Sequence, residues 1–231
     1  MIIGFVGFIG SGKDTAADYL VNFHGFRRDS FASTLKDAVS CIFGWDRTLL
    51  EGRTNESREW REQPDNWWSS RLGKPITPRW VLQNWGTEVC RNGFHNDIWI
   101  ASLENKIRKT NDNVVITDVR FPNEISAIKK AGGKVFRIKR GSDPVWYDDA
   151  IAHNQGPTNM RWALSKMHLN HLQVHASEYS WVGNKKIDAE IDNNSTIDEL
   201  FNQLKNQVEG HLASTERPLY AGLADNSHTL S

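Results

Sequence analysis

The sequence predicts an α/β fold: a five-stranded, mostly parallel sheet between two layers of helices. Three observations carry this. Strand-like apolar runs alternate with helical stretches, the pattern of parallel strands joined by crossover helices. The first run feeds a glycine-rich segment, GFIGSGKDT (7–15), from which a helix departs. A later run, VVITDV, ends in Asp118 with Arg120 two residues on.

The expected strands are IIGFVG (2–7), DSFA (29–32), NVVITDV (113–119), KVFRIKR (134–140) and IDAEID (187–192). The third is the most continuously apolar and is expected at the sheet's centre, since a strand covered on both faces needs no polar alternation. Helices are expected over 13–24, 33–43, 78–92, 97–109, 122–131 and 197–208. Pro78 stands at a first helical position, where its missing N–H costs nothing, and Gly132 and Gly133 close the fifth helix. Residues 211–231 lose periodicity and read as a loose tail, leaving 1–210 as one domain.

The 231 residues suit one domain of ordinary size with room for an inserted lid. Lys plus Arg and Asp plus Glu both total 28, so no global charge draws the chain to nucleic acid or anionic lipid. A basic site must therefore be a local concentration, and the expected partner is a small molecule. Cys41 and Cys90 fall in apolar periodic segments and read as buried hydrophobes in a reducing compartment. The apolar start is too short to span a bilayer and has no basic leader, so a cytoplasmic protein with no membrane partner is expected.

Gly7, Gly10, Gly12 and Lys13 fall where the phosphate-loop pattern GxxxxGK requires them. Such a turn aims backbone N–H groups at phosphate oxygens, the helix start adds positive dipole, and the lysine reaches the outer phosphates. A tight turn without a ligand is the alternative; the flanking strand and helix favour nucleotide. The candidate nucleotide contacts are Gly10, Ser11, Gly12, Lys13, Asp14 and Thr15. Asp14 departs from the pattern, because a Ser or Thr there ligates magnesium. Thr15 stands one place late. Asp118, at the tip of a strand beside the loop, can hold magnesium through water, and Arg120 can stabilise charge on a transferring phosphoryl group. Glu124 reads as a residue of the next helix's first turn.

GSGKDTAADYL, FASTLKDAVSCIFGWD, RWVLQNWGTEVCRNGFHNDIWI, VVITDVRFPNEISAI, HASE and DAEIDNNSTIDEL, in this order, resemble the phage deoxynucleoside monophosphate kinase family. The resemblance covers most of the chain, and GKD followed by Thr matches the family's own loop. It implies a P-loop fold with an NMP-binding insertion (about 33–112) and a lid (about 141–186). It also implies ATP and Mg2+, a deoxynucleoside monophosphate acceptor, and the cytoplasm of a host cell if the chain is viral. Such transfer needs no strong base, only alignment and many cations. Lys36 lies where related kinases contact the acceptor, or is an exposed helix lysine. Arg79 and Gln83, four apart on one helix face, can enter one pocket for a phosphate and a base edge, and Gly86 and Thr87 continue that face. Trp80, Val81, Leu82 and Trp85 of this helix are expected to pack inward. Arg140, His175 and Glu178 match the family pattern around the lid, Arg161 is a further candidate, and Asn193 stands where related folds wrap adenine. Lys13, Arg120 and Arg140 form the expected catalytic set, with Thr15 and Asp118 nearest the metal.

Three features remain open. His168, His171 and His175 could share one helix face and bind zinc, or belong to a solvated or substrate-facing helix. Five tryptophans lie within 60–85 among arginines and could stack single-stranded nucleic acid, but interleaved acids make the surface mixed, so an acceptor nucleoside pocket is the preferred reading. A kinase of another small molecule, such as phosphomevalonate, is the nearer rival, and a homodimer is compatible with the sequence.

Overall fold

The computed structural model describes residues 1–157 and 160–212. Five strands, β1 (Ile2–Val6), β2 (Phe26–Asp29), β3 (Asn113–Ile116), β4 (Lys134–Lys139) and β5 (Ala189–Asp192), form one sheet in the order β2-β3-β1-β4-β5, every pair parallel. The middle strand is β1, not the third run as expected. Continuous apolarity marks a strand covered on both faces, and both β1 and β3 are interior, so it could not tell the two apart.

The strand period of two sorts side chains cleanly. Ile3, Phe5, Val115, Phe136, Ile138 and Ile191 point to one face, where Ala16, Ala17 and Leu20 of α1 (Lys13–His24) and Leu200, Leu204 and Val208 of α11 (Ile197–Leu212) cover them. Val6, Val114, Ile116 and Val135 point to the other. There they meet Leu35 and Val39 of α2 (Ser33–Phe43), Ile100 and Leu103 of α6 (Ile98–Ile107) and Ile125 and Ile128 of α7 (Pro122–Lys130).

Between β2 and β3 the chain also builds α3 (Asn55–Glu62), α4 (Asn66–Leu72) and α5 (Pro78–Gln83), and between β4 and β5 it builds α8 (Tyr147–Asn154), α9 (Met160–His171) and α10 (Ala176–Tyr179). Apart from α5, which begins the helix expected over 78–92, these helices gave little periodicity to read; capping bonds from Thr54, Asp65 and Thr77 start α3, α4 and α5. The expected helix over 78–92 changes winding after Gln83 and continues as a π-helix, Asn84–Asn92. β2 lies three residues earlier than expected because Arg27 and Arg28 interrupt its apolar pattern; Arg27 pairs with Asp29 and Asp112, and Arg28 with Asp14 and Asp18. Cys41 is exposed rather than buried, since α2 turns Leu35 and Val39 inward; Cys90 is half-buried and both thiols are free. The expected tail lies outside the described residues except for 211 and 212, which end α11. Among the described residues no helix is long and apolar enough to cross a membrane.

Phe5 is fully enclosed in the central strand, so Phe5→Ala is expected to lower unfolding free energy by about 3–5 kcal/mol in a denaturant titration. Phe23→Ala, at an exposed site on α1, is expected to stay within about 0.5 kcal/mol of the parent.

Candidate active site

The carboxyl ends of β1, β2 and β3 open into a cleft of 690 Å³. Sheet ends of this kind are where ligands of α/β proteins sit. Among the described residues twelve lysines and arginines line it, against seven carboxylates. The local excess of cations thus arises in a chain whose charges balance overall.

The glycine loop forms one end. Gly7, at φ 146°, has no room for a side chain, since a Cβ there would lie 2.4 Å from the Ile138 carbonyl oxygen. No side chain caps the start of α1, which leaves its first amides facing outward. Lys13 bends back over the loop and donates from Nζ to the carbonyls of Gly7 (2.7 Å) and Phe8 (2.8 Å). Burial, with Arg120 nearby, brings its ammonium down to about 8. Gly10 lines the cleft, and the Ser11 side chain is buried beneath the turn, 3.5 Å from Lys13 Nζ. Asn193 donates from Nδ2 to the Ser11 carbonyl at 2.8 Å and occupies the space beside Gly12, so its amide braces the loop from β5. Asp14 lines the cleft beside the loop: its carboxylate accepts from Arg28 at 3.3 Å, and Arg28 also donates to the Asp14 carbonyl (2.7 Å). Thr15 is exposed and does not line the cleft.

Beyond β3, Asp118 accepts the amides of Phe31 (3.0 Å) and Ala32 (2.9 Å), and burial pushes its carboxyl up. This ties the β3 loop to the turn after β2. Arg120 donates from its guanidinium to Glu178 at 2.7 Å. Its backbone amide is held at 2.7 Å by Glu124, which also takes the Phe121 amide at 3.0 Å and the guanidinium of Arg91. Glu124 therefore serves its helix start, as expected, and also anchors a second helix. Burial, with Asp118 adding to it, outweighs Arg91 and pushes this carboxyl up to about 7.

On the opposite wall Lys36 pairs with Glu51 at 2.8 Å, and Arg79 pairs with Glu62. Lys36 and Arg47 hold Glu51 at about 2 against the opposing effect of its burial. Gln83, Gly86 and Thr87 line the same wall, and Trp99 donates from its indole to the Gly86 carbonyl at 2.9 Å.

Residues 65–158 match the family model for deoxynucleotide monophosphate kinases. A putative deoxynucleotide monophosphate kinase of Acanthamoeba polyphaga mimivirus is 31% identical over 223 residues, 90% of this chain and 96% of that one. The chain belongs to the deoxynucleotide monophosphate kinase family. A deoxynucleoside-5'-monophosphate kinase of Escherichia phage T5 is 30% identical over 174 residues, 54% of this chain and 70% of that one. Membership favours this family over the phosphomevalonate-type rival. The solved shikimate kinase of Aquifex aeolicus is 13% identical over 92% of this chain and 99% of that one, with a TM-score of 0.42, a likeness too distant to carry weight.

For this member of the family, the remaining sequence expectations divide. His175 and Glu178 line the cleft; His175 caps α10, its Nδ1 accepting the Ser177 amide at 3.2 Å. Arg140 and Arg161 are exposed and do not line it, although Arg140 follows directly on β4. The three histidines do not share a helix. Helix α9 ends at His171, Gln173 turns the backbone at φ 54°, and His168 pairs with Asp149 at 2.5 Å. Among the described residues no group of three His, Cys, Asp or Glu converges as a metal site. The tryptophans of 60–85 do not line the cleft either. Trp60, Trp68 and Trp85 pack against the core around Phe43 and Trp45, while Trp67 and Trp80 are exposed, Trp80 beneath Lys74 Nζ at 4.4 Å from the ring centre. Val81, Leu82 and Trp85 pack inward as expected, Leu82 also lining the cleft, whereas Trp80, expected inward, is exposed. Of the arginines in and just before that segment, Arg53, Arg58, Arg61 and Arg79 line the cleft, and Arg71 does not. They were visible in the sequence, but the capped α3 that carries Arg58 and Arg61 was not.

Because Lys13 titrates low, its charge is lost early as pH rises. ATP affinity is therefore expected to fall above about pH 8 in equilibrium titrations, and in Lys13→Arg that decline should vanish. A flat profile in the parent protein would contradict the assignment.

Proposed function

We propose that this protein transfers the γ-phosphate of ATP to a deoxynucleoside monophosphate, releasing ADP and the deoxynucleoside diphosphate. The observation that carries the reading is the cationic cleft of a chain with no net charge, with a glycine loop and its desolvated lysine at one end. Both nucleotides are anions, so the main demand on the protein is to gather and align them while water is kept out.

In this reading the Gly10–Lys13 turn and the uncapped start of α1 receive the triphosphate, with Lys13 exchanging its carbonyl partners for phosphate oxygens. Arg120 stabilises charge on the phosphoryl group in transit. Lys36, Arg79, Gln83, Gly86 and Thr87 face the acceptor, and Glu178 and His175 hold the lid side of the cleft. Arg140, at the end of β4, would take part only if the lid brought it inward. Magnesium, when bound with ATP, neutralises phosphate charge. Asp118 is the chain's own carboxylate suited to meet that ion's water shell, whereas Thr15 would have to turn toward the loop to do so.

A coupled ADP-release assay against a panel of deoxy and ribo monophosphates tests the proposal; no turnover with any deoxynucleotide would refute it. Lys13→Ala and Arg120→Ala are each expected to lower kcat on the order of 10²- to 10³-fold. Circular dichroism and thermal melting should report an intact fold in both, and unchanged turnover would remove the residue from the site.

A further inference from the structure

One cation of the cleft is built differently from the rest. Lys36, Arg79, Arg91 and Arg120 each lean on a carboxylate, but Arg53, Arg58 and Arg61 form no ion pair among the described residues. Arg61 is the most enclosed of these three, and its Nε is buried with no hydrogen-bond partner. Its guanidinium lies where a Cβ on Gly52 would be, with Nη2 2.0 Å from that position, and Gly52, at φ 66°, lines the cleft beside it. Arg58 sits one helical turn away on α3 and donates to the Gly52 carbonyl at 3.1 Å. Burial and the neighbouring charges of Arg79 and Arg58 weaken Arg61's hold on its proton, with Glu62 and Glu51 opposing in part.

A buried donor left unpaired among like charges is unfavourable for the empty protein and becomes favourable when an anion arrives. The guanidinium's fixed fork suits the two oxygens of a phosphate group. The triphosphate has its own seat at the start of α1, whereas Arg61 belongs to a separate insertion. We propose that Arg61, seated on Gly52 and backed by Arg58, binds the phosphate of the acceptor nucleotide. Naming the acceptor as the source of that phosphate rests on the kinase reading above.

The test is calorimetric binding of the four deoxynucleoside monophosphates, their parent deoxynucleosides and ATP to the parent protein and to Arg61→Gln. Monophosphate affinity is expected to fall about 10- to 100-fold, the worth of charge-assisted hydrogen bonds. Deoxynucleoside and ATP affinities should hold. Inorganic phosphate should compete with the monophosphate in the parent protein and lose that ability in the variant. Gly52→Ala, whose methyl would displace the guanidinium, should reproduce the selective loss, and Arg61→Lys should restore part of it. Unchanged monophosphate affinity, or parallel weakening of ATP or of the parent deoxynucleosides, would overturn the assignment. Arg61-dependent monophosphate binding without ADP release would keep this seat and reject the kinase reading; turnover with an unchanged KM in Arg61→Gln would do the reverse.

Discussion

Cations gathered to receive phosphate repel one another while no phosphate is present, and much of the cleft's construction answers that repulsion. Two unit charges 4 Å apart near a protein surface interact by about 4 kcal/mol, so a dozen basic groups cannot share one cleft unsupported. Carboxylates carry the load: Glu51 between Lys36 and Arg47, Glu62 against Arg79, Glu178 against Arg120, Glu124 against Arg91. Lys13, lacking an ion-pair partner among the described residues, leans on two backbone carbonyls and holds its proton less tightly. Phosphate would then bind by exchange of partners, which keeps the empty protein stable without diminishing the pull on an incoming anion.

The fold supplies the fixed points for that exchange. The middle strand delivers the glycine loop to the sheet's carboxyl end, and its neighbour β3 delivers Asp118 and Arg120 there. The buried Glu124 then joins this β3 loop to the π-helical segment through Arg91. Breaking a buried pair of this kind costs about 3–5 kcal/mol, so the two walls are held in one geometry rather than free to drift. Asn193 ties the loop to β5 in the same way, by one side-chain bond across a long stretch of sequence.

The sheet, its flanking helices and the phosphate loop were legible because each leaves a local mark: an apolar run, a helical period, glycines at fixed spacing. That Asp118 and Arg120 would stand at the sheet's carboxyl end was legible for the same reason, since they follow directly on an apolar strand. What the sequence hid depends on contacts between distant residues. Arg28 pairs with Asp14, which offsets the charge of the carboxylate in the hydroxyl position, and nothing local in GFIGSGKDT announces that. The arginines of 53–79 were noticed but judged with their tryptophans. The structure separates the two, the tryptophans to the core or the outer surface and all of these arginines but Arg71 to the cleft. The three-histidine spacing misled because a helix end at His171 breaks a pattern that spacing alone would continue.

The central claim is that two phosphate-bearing nucleotides bind side by side in this one cationic cleft. A bisubstrate analogue, adenosine joined through a phosphate chain to a deoxynucleoside, measures it directly by inhibition kinetics. The account predicts competition against both ATP and the monophosphate, with binding far tighter than either alone because both seats are filled at the entropic cost of one ligand. Competition with ATP alone, or affinity no better than that of ATP, would contradict it.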